Sequence, residues 1–132
     1  MTKSVSTAPD SLLDTLPARL SDAPLRWARE TPDAWAVADS AKRLTHAAFG
    51  GTIEAVAARL RAHGVRPGDR IAVLMENGVT AAVLIHGASR AGAVISPINA
   101  RIAAREVAVM TGHLDARCVL YALDSPAAAE HA

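Results

Sequence analysis

The stretch HGVRPGDRIAVLMENGVTAAVLIHGASRAGAVISPINAR, His63 to Arg101, decides the fold. Gly64 follows an amphipathic run and suits the left-handed conformation that closes a helix without a Cβ clash. Pro67-Gly68 predicts a type II turn, proline presetting φ at the first central position and glycine accepting positive φ at the second. Arg70 to Met75 (RIAVLM) is an almost unbroken apolar run, the pattern of a strand covered on both faces. Glu76, Asn77 and Gly78 break that strand. Val79 to Ala91 carries apolar residues on nearly every side, which predicts a helix buried between layers. Gly92 ends it, and Ala93 to Ser96 reads as a second strand closed by Pro97, which has no N–H to continue a ladder on both sides. Strand, helix and strand at this spacing form a βαβ unit, whose right-handed crossover puts both strands in one parallel sheet. The expected fold class is therefore α/β with a mainly parallel sheet, a pattern that names no chemistry by itself.

Upstream of this unit, residues 1–10 are polar and are expected to be a disordered amino terminus. Leu12, Leu13, Leu16 and Leu20 recur at near-helical spacing, interrupted by Pro17, which predicts one or two short helical turns. A helix capped by Asp22, with Pro24 in its first turn and Trp27 facing inward, is expected to end at Thr31-Pro32. Trp35 to Asp39 and Arg43 to Thr45 read as a small hairpin across Ser40-Ala41-Lys42. Thr45 then caps a helix reaching His63, on which Phe49, Ile53, Val56 and Leu60 form one apolar stripe. Gly50-Gly51 weakens its first turns, and a close neighbour would explain the missing side chains. Downstream, Ala103 to His113 is expected to be helical, with Ala103, Val107, Met110 and Leu114 on one face. Arg117 to Ala122 reads as a third strand. Residues 123–132 have too little apolar bulk to pack and read as a tail.

Composition narrows the functional classes. With 51% hydrophobic and 20% charged residues over 132 positions, the chain has one globular domain's worth of sequence. A formal charge of +1 without a basic block, and only two tryptophans, one tyrosine and one phenylalanine, exclude a phosphate-tracking or base-stacking surface, so no nucleic-acid partner is expected. Cys118 is the single cysteine, which excludes an intramolecular disulfide and reads as a core thiol. The start lacks the apolar core of a secretory signal, and the apolar stretch Val79 to Ile95 is broken by His86, Ser89 and Arg90, so no membrane span is expected. The cytoplasm is the simplest compartment.

Few residues offer chemistry. The spacing of Gly64, Gly68, Gly78, Gly87 and Gly92 matches neither dinucleotide-binding nor Walker patterns, which leaves turn, cap and packing roles. His86 lies in an apolar helix with no nucleophile or orienting group beside it in sequence, and is read as a hydrogen-bonded core histidine. His46, His63, His113 and His131 lack metal-ligand spacing, so no metal site is assigned. Asn99 and Arg101 follow the second strand, at the carboxyl end where open parallel sheets place their ligands. An arginine there meets either a phosphate or carboxylate ligand, or forms an ion pair with Glu106 or another acidic partner.

The wording of the central stretch adds a family. A leucine- and arginine-rich helix ending in HGV, then RPGDRIAVLMEN, a helix ending in RAGAV, and SPINAR followed by REV resemble the opening of the adenylate-forming superfamily: acyl-CoA synthetases, luciferases and peptide-synthetase adenylation domains. The resemblance covers roughly residues 26 to 121 and is strongest between Leu60 and Arg101. It implies that residues 11–122 are an incomplete portion of the large N-terminal α/β domain of an acyl-CoA synthetase, with the hairpin preceding its βαβ units. Complete members use ATP, Mg²⁺ and coenzyme A to turn a carboxylic acid into an acyl-adenylate and then a thioester. For Arg101 the resemblance implies a coenzyme A phosphate as ligand. No Ser/Thr/Gly-rich run followed by lysine occurs, and Lys3 and Lys42 are the only lysines, so no catalytic residue is assigned and the chain alone is expected to be inactive. His46 where tyrosine is usual, Phe49-Gly50 where a leucine-rich pair is usual and Ala100 where proline often precedes the arginine leave the acid open. The other reading is a non-catalytic partner-binding α/β module or one half of a split synthetase, with the remaining C-terminal portion as a separate chain.

Overall fold

A computed structural model describes residues 13–132. The disordered start expected for residues 1–10, and Leu12, lie outside them. The described elements are α1 (Asp22–Glu30), β1 (Trp35–Ala38), β2 (Arg43–Thr45), α2 (His46–Ala62), β3 (Arg70–Met75), α3 (Val79–Ala91), β4 (Val94–Asn99), α4 (Ala104–Leu114), β5 (Cys118–Tyr121) and α5 (Pro126–Ala129). The hairpin pairs β1 with β2 antiparallel, and the main sheet is parallel in the order β4-β3-β5.

β3 is central because it is apolar on both faces. Ile71 and Val73 pack with Ala57, Leu60, Val65, Ala88 and Ala91 beneath α2 and α3, whereas Ala72 and Leu74 pack with Ile98 and Val107 beneath α4. The chain leaves β3 for β4 and then returns across β3 to β5. Right-handed crossovers place the connecting helix on opposite faces when the direction of travel reverses, so α3 and α4 end on opposite sides. A third cluster, Phe49, Ile53, Val79 and Val83 with Leu25, Val37 and Leu44, fastens α1 and the hairpin to α2 and α3.

Local expectations hold where backbone chemistry sets them. Thr45 Oγ1 accepts from Ala48 N at 3.2 Å, capping α2. Gly64, Gly68 and Gly92 have φ of 84°, 89° and 85°. At Gly50 an added Cβ would lie 2.7 Å from the Ala28 Cβ, the close neighbour expected, whereas Gly51 faces open space.

Five expectations are corrected. β4 does not stop at Pro97 but runs to Asn99: Val94 N and Ala100 N donate to Asp69 and Met75 carbonyls on the β3 side, so alternation turns Pro97 to the open edge, where its missing N–H breaks no bond. Trp27 is 40% exposed rather than inward, because Leu25 and Ala28 form the packed face of α1. Ser21, not Asp22, precedes the first turn of α1, and Met110 is exposed while Val107 carries the buried face of α4. The segment 123–132 is docked rather than loose: Ala128 is fully buried, Ser125 Oγ caps α5 by accepting from Ala128 N at 3.2 Å, and His131 Nε2 contacts the Ala100 carbonyl at 2.9 Å. Small alanine side chains suffice there because backbone and polar contacts anchor the turn. No helix among the described residues is long and apolar enough to cross a membrane.

Candidate functional site at the carboxyl end of the sheet

The loops after β3 and β4 diverge towards α3 on one face and α4 on the other. They leave a cavity of about 460 Å³ lined by Met75, Glu76, Asn77, Pro97, Ile98, Asn99 and Arg101. This is where open parallel sheets bind ligands. Arg101 therefore lies where the sequence places it, beside a cavity.

Its ion-pair partner is not Glu106. Arg101 Nε donates to Glu76 Oε1 at 2.5 Å, while Glu106 Oε2 accepts from Ala103 N at 3.0 Å and closes the first turn of α4. The reason is topological: Glu76 ends the strand adjacent to β4, so its carboxylate faces the neighbouring exit loop, whereas Glu106 is drawn back to its own helix end. The second Glu76 oxygen accepts from Ser125 Oγ at 2.5 Å. One carboxylate thus ties together the loops that follow all three strands. The Ser125 hydroxyl first, and the Arg101 guanidinium next, hold the Glu76 carboxyl below the usual carboxylate range. Backbone geometry fixes Arg101 further, since its N–H donates to Asn99 Oδ1 at 2.9 Å in an Asx turn. Sequence reading took Glu76 only as a strand breaker and missed Ser125. The available signal was an acidic residue at the carboxyl end of a buried strand.

A smaller cavity of about 190 Å³ lies between the hairpin and the β3 and β5 loops. Here Lys42 Nζ donates to Thr80 Oγ1 at 2.6 Å and to Asp124 Oδ2 at 2.9 Å, and Thr80 also contacts Asp124. The Thr80 hydroxyl and Lys42 lower the Asp124 carboxyl. Asp39 Oδ2 accepts from Val79 N at 2.8 Å, and its Oδ1 accepts from Ala41 and Lys42 N at 2.9 Å each. The first amide of α3, that of Val79, is therefore already met by a carboxylate of the chain itself.

These three backbone donors, Val79 first, hold the Asp39 carboxyl below its ordinary range. A carboxyl depressed in the folded state stabilises fully above its unfolded value, about 3.9, and loses that contribution as pH falls through the folded value. Asp39→Asn is accordingly expected to be less stable than the parent at neutral pH and to show a shallower decline in denaturation midpoint between neutral and strongly acidic pH. Parallel midpoint–pH curves for the two proteins would contradict this role.

The remaining candidates are structural. His86 Nδ1 contacts the Ala82 carbonyl at 2.8 Å and its ring meets Phe49 edge-on at 5.4 Å. An added Cβ on Gly87 would sit 2.4 Å from Val56 Cγ1, so this glycine serves helix packing. Burial pushes the Cys118 thiol up, away from a reactive thiolate. Among the described residues no group of three His, Cys, Asp or Glu side chains could hold a metal ion.

Known proteins share this fold. Residues 25–132 match the model of the AMP-binding enzyme family. The chain is 39% identical over 83 residues to the long-chain-fatty-acid–CoA ligase FadD13 of Mycobacterium tuberculosis, covering 63% of this chain and 16% of the relative. It is also 39% identical over 84 residues to a feruloyl-CoA synthase of Amycolatopsis sp, covering 64% and 17%. It therefore spans about a sixth of the length of these relatives. Among solved structures, the N-terminal domain of FACL13 from Mycobacterium tuberculosis superposes with a TM-score of 0.72 at 32% identity, covering 85% of this chain and 29% of that one. The nonribosomal peptide synthetase FmoA3 gives 0.74 at 34% identity, covering 77% and 12%. The α/β sheet and its small hairpin are those of the N-terminal domains of adenylate-forming enzymes, and the chain belongs to the AMP-binding enzyme family, corresponding to the N-terminal part of that superfamily.

Proposed function

We propose that this chain is the N-terminal scaffold of an ATP-dependent carboxylic acid:coenzyme A ligase of the cytoplasm, and that Arg101 binds a phosphate of coenzyme A. The observation that carries the reading is an arginine anchored at the rim of the cavity between the β3 and β4 exits, in a chain whose relatives include two named acyl-CoA-forming enzymes. A guanidinium suits that ligand because its planar fork matches phosphate oxygens.

The residues present do not fit ATP or Mg²⁺. Lys42 is committed to Thr80 and Asp124, the Val79 amide that opens α3 is committed to Asp39, and the described residues hold no metal-binding cluster. No adenylation step is assigned to them. The 132-residue chain is expected to give no ATP–pyrophosphate exchange with a panel of fatty and aryl acids. Exchange above background would overturn its reading as scaffold alone. Coenzyme A is expected to shift the side-chain resonances of Arg101 in the same chain, and Arg101→Ala is expected to abolish saturable coenzyme A binding. Equal binding by the parent and Arg101→Ala would remove Arg101 from the reading.

A further inference from the structure

We propose that Glu76, braced by Ser125, is the positioning residue that aims the Arg101 guanidinium at its anionic ligand. This rests on the reading of Arg101 as a phosphate-binding group. Arg101 is 76% exposed and Glu76 only 24%, so the carboxylate is the enclosed member of the pair and the arginine the solvent-facing one. An exposed ion pair contributes little to stability, which makes fold stabilisation a weak reason for the contact. Its geometry points elsewhere. Glu76 engages Nε alone, and among the described residues the terminal amines of Arg101 have no partner. The bond thus pins the stem of the fork and leaves its tips free beside the cavity.

Two opposing effects act on an incoming anion. The negative charge of Glu76 repels it, while the anchored stem removes rotamer freedom that an arginine would otherwise lose on binding. Pre-organisation wins only if the carboxylate is itself held, and Ser125 Oγ holds its other oxygen. Ser125 in turn is fixed by capping α5, and His131 fixes the Ala100 carbonyl next to Arg101. The segment after β5 therefore braces the arginine from two sides.

The two effects separate in three variants of the full 132-residue chain, each first checked for a parent-like backbone amide spectrum. Glu76→Gln keeps an acceptor oxygen without the charge. It is expected to preserve slow hydrogen exchange at Arg101 Nε and to bind coenzyme A at least as tightly as the parent. Glu76→Ala removes the acceptor. It is expected to speed that exchange at least about tenfold and weaken coenzyme A binding about tenfold, the size of effect that one lost element of pre-organisation produces. Ser125→Ala is expected to fall between them. Tighter binding by Glu76→Ala would mean that charge repulsion dominates and would overturn the proposal, as would unchanged Arg101 Nε exchange in that variant. Exchange that responds as expected, in a parent that does not bind coenzyme A, would support the anchoring by Glu76 and overturn the phosphate reading instead.

Discussion

Replacing Leu74 with alanine is expected to lower the unfolding free energy of the chain by about 2–5 kcal/mol, the range for removing a fully buried leucine. Leu74 has no exposed surface and lies on the central strand, against Ala72, Ile98 and Val107. Two of these neighbours, Ala72 and Ile98, come from strands, whose backbone hydrogen bonds limit collapse into the space left behind. Little relaxation means that the cavity adds to the lost transfer energy. With total stabilities of small domains at about 5–15 kcal/mol, this one change removes a large share. Urea unfolding of the two proteins measures it as a lower midpoint at unchanged slope. A loss below about 1 kcal/mol would show that α4 settles into the gap.

Gly87→Val is expected to be comparably damaging, for the opposite reason. Even a single added Cβ at position 87 would lie 2.4 Å from Val56 Cγ1 and 2.6 Å from Val56 Cβ, so α2 and α3 would have to separate. Alanine at this position would gain about 1 kcal/mol of helix propensity over glycine, against an overpacking penalty of about 1–3 kcal/mol. Valine adds two more methyl groups and β-branching, which raises the penalty and reduces the propensity gain, and a net loss of about 3 kcal/mol or more is expected. Val56→Ala is expected to rescue Gly87→Val only in part, because the Val56 Cβ itself is within the clash distance and alanine keeps it. Full rescue would place the strain in the Val56 methyl groups rather than in the separation of the helices. Thermal unfolding of the two single variants and the double variant decides this.

Apolar runs, glycines at turn and cap positions and Thr45 at a helix start determined by themselves that this chain makes a hairpin followed by βαβ units. Each of those features acts within a few residues, through φ/ψ preference, capping or a periodic face, and so can be read locally. The family too was legible, since several fragments of wording recur in order between Leu60 and Arg101. What required tertiary structure was every choice among distant partners. Pro97 ends a strand on local grounds, yet lies within one because β4 is an edge and its missing N–H faces outward. Residues 123–132 look too small to pack, yet dock through Ala128, Ser125 and His131, whose contacts are 3 to 49 positions away. Arg101 could be placed at the carboxyl end of the sheet from sequence, but Glu106, five residues on, was the local candidate for its partner. The parallel register of β3 with β4 instead brings Glu76 to it across 25 positions, and no propensity or spacing rule carries information over that distance.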